Sequence, residues 1–180
     1  MDRRAGRIQA YPVIWTTATV RKRPVRDATA LAYMRRYLGQ MLAKNPDVVV
    51  IYIGVNDVWH KMRAGTGTDP DKFEKFYLAI IRKLKQRNIR VILCTPAAIG
   101  EKTDFSNQQD GDLNAYSTII RNLAASQQLD LVDLRTLVLD YDKRNNPKNL
   151  DRGILTTDGV HLNAAGNEAV AGWMWNVIKK

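Results

Sequence analysis

Residues 48–57 read Val48-Val49-Val50-Ile51-Tyr52-Ile53-Gly54-Val55-Asn56-Asp57. An uninterrupted, β-branched apolar run of this length reads as a strand covered on both faces, the kind found inside parallel sheets. It ends in a glycine and delivers an amide side chain, Asn56, at its carboxyl end. In open α/β sheets ligands gather at those ends. A second stretch, Asp158-Gly159-Val160-His161, lies just ahead of the last apolar-periodic segment. A carboxylate three residues before an imidazole reads as a base and the group that orients it.

Working outward, the alternation of elements is regular from residue 27 onward. Asp27 is placed to cap a helix carrying Leu31, Met34, Leu38, Met41 and Leu42, stopped by Asn45-Pro46. The strand Val48–Ile53 follows. Gly65-Thr66-Gly67-Thr68 reads as loop, and Asp69-Pro70 opens a helix with Phe73, Phe76, Tyr77, Ile80, Ile81 and Leu84 inward. Arg90–Thr95 is the next strand, ended by Pro96. A long polar connection leads to a helix near 112–127, and Leu129–Leu134 forms a third strand. Residues 141–153 read as a polar loop, and Asn163 caps a final helix to about Lys179. Strands alternating with helices predict an α/β fold, a mostly parallel sheet with helices on both faces.

Composition narrows the function classes. A chain of 180 residues is long enough for one domain with a sizeable core. No run of about 18 apolar residues is present, so no membrane span is expected. The start, Met1-Asp2-Arg3-Arg4, lacks the apolar stretch of a signal peptide. As written, the chain is that of a cytoplasmic protein, although a missing amino terminus would leave its localisation unknown. Cys94 is the sole cysteine, which excludes an intramolecular disulfide, and its place in Val91-Ile92-Leu93-Cys94 makes it a buried small hydrophobe.

The net charge of +10 raises the question of nucleic acid. Its distribution argues against that partner: residues 1–44 carry a balance of +8, and residues 45–180 only +2. The basic segment also lacks interleaved aromatics on which bases would stack.

For each candidate residue a plain structural role competes with a chemical one. Asn56 is suited to donate its amide to a developing oxyanion, or to tidy the strand exit as an Asx cap. His161 is suited to shuttle a proton and Asp158 to hold its tautomer, or the two are simply turn residues. Two histidines, His60 and His161, and a nearby Asp raise a metal site, but no third ligand stands at helical spacing, so no metal and no cofactor is expected.

Taken together, Pro46 to Trp59 and Thr157-Asp158-Gly159-Val160-His161-Leu162-Asn163-Ala164-Ala165-Gly166 resemble the SGNH (GDSL-type) hydrolases over roughly residues 27–180. The resemblance implies a flavodoxin-like three-layer fold, Asp158 and His161 as two triad members, and Asn56 as an oxyanion donor. It implies hydrolysis of small esters, lipids or acetylated sugars, without a metal. Gly54, Trp59 and His60 are then expected beside the substrate.

The pattern fails before residue 26. The family begins with a strand ending Gly-Asp-Ser, which supplies the nucleophile. Here the only serines are Ser106, Ser117 and Ser126. Arg26-Asp27-Ala28-Thr29 resembles the tail of the family's second block, with Val25 where its glycine would fall. The sequence therefore divides into an atypical basic segment, 1–25, expected to be poorly ordered, and a hydrolase-like domain, 26–180. A truncated or misframed coding start would explain the break. The strand-like stretch Arg7–Trp15 has the composition to fill a sheet edge, but Pro12 argues against a central strand. Oligomeric state is not legible. The expected outcome is an esterase impaired for want of its nucleophile, with a ligand-binding remnant as the alternative.

Overall fold

The computed structural model describes residues 38, 39 and 41–180. The Asp27 cap, the Arg7–Trp15 stretch and the proposed 1–25 segment fall outside these residues. Within them, three parallel strands form one sheet in the order β1-β2-β3: β1 Val48–Tyr52, β2 Arg90–Cys94 and β3 Asp130–Val132. Five helices accompany it among the described residues: α1 Val55–Ala64, α2 Pro70–Lys85, α3 Asp110–Gln127, α4 Leu134–Asn145 and α5 Ala164–Ile178. Leu38, Gly39, Met41 and Leu42 are helical as well.

The period-two geometry of a strand splits the core in two. Val49 and Ile51 of β1 and Val91 and Leu93 of β2 face a cluster with Val58, Phe73, Tyr77, Ile81, Leu113 and Ile120 from α1, α2 and α3. Val48, Val50 and Tyr52, with Ile92 and Cys94, face the opposite cluster with Leu134, Val138 and Val170 from α4 and α5. This is the three-layer arrangement that an apolar strand without alternation requires. Cys94 is free and fully buried, and burial pushes its thiol up to about 12, which makes it inert near neutrality.

Two helices correct the sequence reading. Residues 55–64, read as a strand exit and loop, are helix α1, so Asn56 and His60 are helical. Val55, Val58, Trp59 and Met62 carry the i, i+3, i+4, i+7 spacing that signals it. Residues 134–145, read partly as strand and partly as polar loop, are helix α4, capped by Asp133, whose side chain accepts from Thr136 N. Strand ends are also earlier than expected: β1 stops at Tyr52, β2 at Cys94 and β3 at Val132.

Between α4 and the first turns of α3 lies a buried polar group. Arg135, 1% exposed, donates Nη2 to Asp110 Oδ1 at 2.6 Å and Nε to Asn114 Oδ1 at 2.8 Å. Arg135 Nη1 and Asp142 Oδ1 have no hydrogen-bond partner among the described residues. Burial first, then the nearby charge of Glu101, pushes the Asp142 carboxyl up to about 7 against the pull of Arg135. That value lies above the ordinary 3.8, so the folded state holds a proton that the unfolded chain releases. Stability is therefore expected to fall as pH rises from about 4 to about 7. Asp142→Asn should flatten that slope and add about 1–3 kcal/mol at pH 8, read from denaturant midpoints at pH 5 and pH 8. An unchanged slope would show that Asp142 does not carry the proton.

Candidate active site

The turn that carries the dyad is built by its own side chains. Asp158 Oδ1 accepts from Val160 N at 3.0 Å and His161 N at 2.8 Å, an Asx-type turn closing on the residue it serves. Its second oxygen, Oδ2, lies 2.8 Å from His161 Nδ1. Gly159 sits at φ +92°, a conformation that L side chains rarely adopt, and its N–H is taken by Thr156 Oγ1 at 3.0 Å. Below the turn, Thr157 N donates to His161 O and Asn163 N to Leu155 O. Asn163 Oδ1 then accepts from Gly166 N at 2.9 Å, which makes it the cap of α5 as its position in the sequence predicts.

Electrostatics fix the role of each partner. Partial burial would raise the Asp158 carboxyl, but the hydrogen bonds from His161 and Val160 outweigh it and hold the group down at about 2. Asp158 is thus ionised at any pH where the protein would work. An ionised carboxylate only accepts, so the 2.8 Å contact places a proton on His161 Nδ1. Neutral His161 then has its free lone pair on Nε2, the arrangement of a general base. Both side chains are about half exposed and within reach of a substrate.

Helix α1 supplies the other wall. It starts directly after Gly54, which holds φ +132°; a Cβ there would stand 3.0 Å from Pro96 Cγ and 3.3 Å from Phe73 Cζ. Only glycine passes the chain from β1 into α1 at that point. The Trp59 ring packs edge-on against His161, centroids 5.7 Å apart, and against His60 at 5.3 Å. The Arg63 guanidinium lies 5.1 Å from the Trp59 ring centre. Asn56, Trp59 and His60 are half-buried and stand three and four positions apart, so they share one face of α1, from which Trp59 meets His161. The structure therefore joins two segments about 100 residues apart through Trp59, which meets His161 of the Asp158–His161 pair on one side and His60 on the other.

Other residues are placed elsewhere. Ser106 Oγ is bonded to Asp104 Oδ1 at 2.6 Å on an exposed loop. Ser117 Oγ is buried against Leu113 O, and Ser126 Oγ bonds Leu123 O, both on α3. None stands at a strand-to-helix elbow. No group of three or more His, Cys, Asp and Glu able to hold a metal occurs among the described residues.

The sequence reading missed Glu101 and Gln109. Gln109 Nε2 ties the start of α3 to Val58 O at 2.9 Å. Glu101 is 1% exposed and binds the segment just ahead of the dyad. The only signal for it in sequence is a lone carboxylate directly after the apolar Pro96-Ala97-Ala98-Ile99-Gly100, at the exit of β2.

Known proteins of the same build bear on this site. The chain is 27% identical over 177 residues to the uncharacterized esterase YxiM of Bacillus subtilis (strain 168). That match takes in 94% of this chain but 45% of that relative, so the chain spans about half of its length. The crystal structure of an acetyl xylan esterase, AlAXEase, superposes with a TM-score of 0.79 at 62% identity, covering 81% of this chain and 73% of that one. A catalytic mutant of an acetylxylan esterase from Geobacillus stearothermophilus shares the fold, with a TM-score of 0.69 at 22% identity over 82% of this chain and 66% of that one. A sequence profile of the GDSL-like Lipase/Acylhydrolase family matches residues 3–169, reaching back into the segment where no family block is legible by eye. With a profile that spans residues 3–169, most of its length, the chain belongs to the GDSL-like lipase/acylhydrolase family.

Proposed function

We propose that this chain carries the site of a serine-type ester hydrolase, with His161 as general base, Asp158 as its orienting carboxylate and Asn56 as oxyanion donor. The observation that carries the reading is the 2.8 Å contact of ionised Asp158 with His161 Nδ1, on a turn packed against Trp59 of α1. Gly54, Trp59 and His60 border the space for substrate. The 62% identity to a protein described as an acetyl xylan esterase favours an acetylated sugar as the ester, ahead of a lipid. No cofactor is needed for that chemistry. Residues 26–180 would make up the hydrolase domain, behind the basic 1–25 segment.

As written, the chain is impaired. No serine precedes Ser106, and the three present lie off the elbow a nucleophile requires. Purified protein is expected to hydrolyse p-nitrophenyl acetate and acetylated xylo-oligosaccharide near background and to resist fluorophosphonate labelling. Robust turnover with a label mapped to Ser106, Ser117 or Ser126 would overturn the impairment. A salt titration with DNA, run alongside, separates the remaining class: affinity that falls steeply with salt would mark a nucleic-acid module.

A further inference from the structure

The dyad turn has an anchor that is no part of the dyad. Glu101 Oε1 accepts from Leu155 N and Thr156 N, each at 2.6 Å, and Oε2 accepts from Ile154 N at 2.7 Å. Three successive backbone amides thus converge on one buried carboxylate. Thr156 is the next link: its Oγ1 takes Gly159 N, and Thr157, one residue on, donates its N–H to His161 O at 2.8 Å. The same stretch of chain is tied at its neighbours, with Gly100 N donating to Gly159 O at 2.8 Å and Glu101 N to Asp151 O at 3.0 Å. Leu155 and Thr156 are themselves buried, so their amides have no water to turn to if the carboxylate is lost.

We infer that Glu101 is a positioning residue for the His161–Asp158 pair, holding the 154–161 turn by its three amides so that Asp158 meets His161 Nδ1. The carboxylate suits the task because both of its oxygens accept and neither donates. A glutamine in its place must turn its NH₂ toward Ile154 N in one flip, or toward both Leu155 N and Thr156 N in the other. The turn then shifts, with two of its three anchors kept in the first orientation and one in the second. An error of about 1 Å in such a turn is enough to cost on the order of 10² in rate through misaligned groups.

The inference rests on reading Asp158 and His161 as the catalytic pair, and its test is chosen to need no turnover. The full chain has two histidines, so the ¹⁵N imidazole shifts of His161 are assignable against a His60→Gln control. In the unsubstituted protein neutral His161 should carry its proton on Nδ1. In Glu101→Gln, with near-UV circular dichroism unchanged, the population should move toward the Nε2-protonated form, while His60 stays as it was. Asp142→Asn perturbs the same buried carboxyl pair without touching the amides and should leave His161 unchanged. A folded Glu101→Gln with the native tautomer, or an Asp142→Asn that shifts it equally, would overturn the inference. Should Glu101→Gln fail to fold, hydrogen exchange of the unsubstituted chain decides. Strong protection of the Ile154, Leu155 and Thr156 amides supports the anchor, and exchange at open-loop rates refutes it. The catalytic reading itself stands or falls on turnover of a nucleophile-bearing version, a separate result.

Discussion

Placed behind a strand ending Gly-Asp-Ser, residues 27–180 are expected to hydrolyse p-nitrophenyl acetate about 10³- to 10⁶-fold faster than the chain as it stands. The size follows from what is already assembled. Loss of a triad serine removes on the order of 10⁶ in kcat and leaves the oxyanion and binding contributions behind, so restoring one should recover much of it. On the proposed reading His161 is the base, and Asp158, ionised, lies 2.8 Å from its Nδ1. Within the restored version, His161→Ala should return the rate to background and Asp158→Asn should cost on the order of 10⁴. Asn56→Ala should cost on the order of 10² to 10³, the usual loss of one oxyanion donor. Fluorophosphonate labelling should map to the introduced serine alone. A restored version that labels but whose rate ignores His161→Ala would remove His161 from the mechanism.

Arg135→Met is expected to lower stability by about 3–5 kcal/mol, the cost of stranding a buried partner charge. Asp110, 5% exposed, accepts from Arg135 at 2.6 Å, and Asn114 loses its donor in the same step. The second half of the prediction separates charge from packing. Asp110→Asn combined with Arg135→Met removes both charges and should recover a large part of the loss, because an apolar or neutral pair of similar volume often matches a buried ion pair. Guanidinium unfolding of the two single variants and the double variant gives the coupling directly. A double variant as unstable as the sum of the singles would mean that Arg135 acts by packing alone. By contrast, the exposed pair Lys61–Asp69, at 3.1 Å, should contribute little when either side is truncated.

The amino-acid sequence by itself determined the layers and the dyad. Val48 to Tyr52 is apolar on both faces, so it had to lie between two covers, and the two clusters on either side of the sheet are that requirement met. Asp158 and His161 were legible because their contact is local: an Asx turn places a carboxylate on an imidazole three residues on with little help from elsewhere. Asn163 as the cap of α5 was legible for the same reason. Helices α1 and α4 were encoded too, in the spacing of Val55, Val58, Trp59 and Met62 and of Leu134, Leu137, Val138 and Tyr141, but strand and turn signals beside them masked it. Only the tertiary structure decided that Trp59 meets His161, because their separation of about 100 residues leaves no trace in local pattern. It alone decided that Glu101 holds the 154–156 amides and that Arg135 pairs with Asp110 inside the core. A charged residue reads as surface in one dimension. It becomes an anchor only when the fold removes water from around it and supplies, from distant segments, the partners that make its burial tolerable.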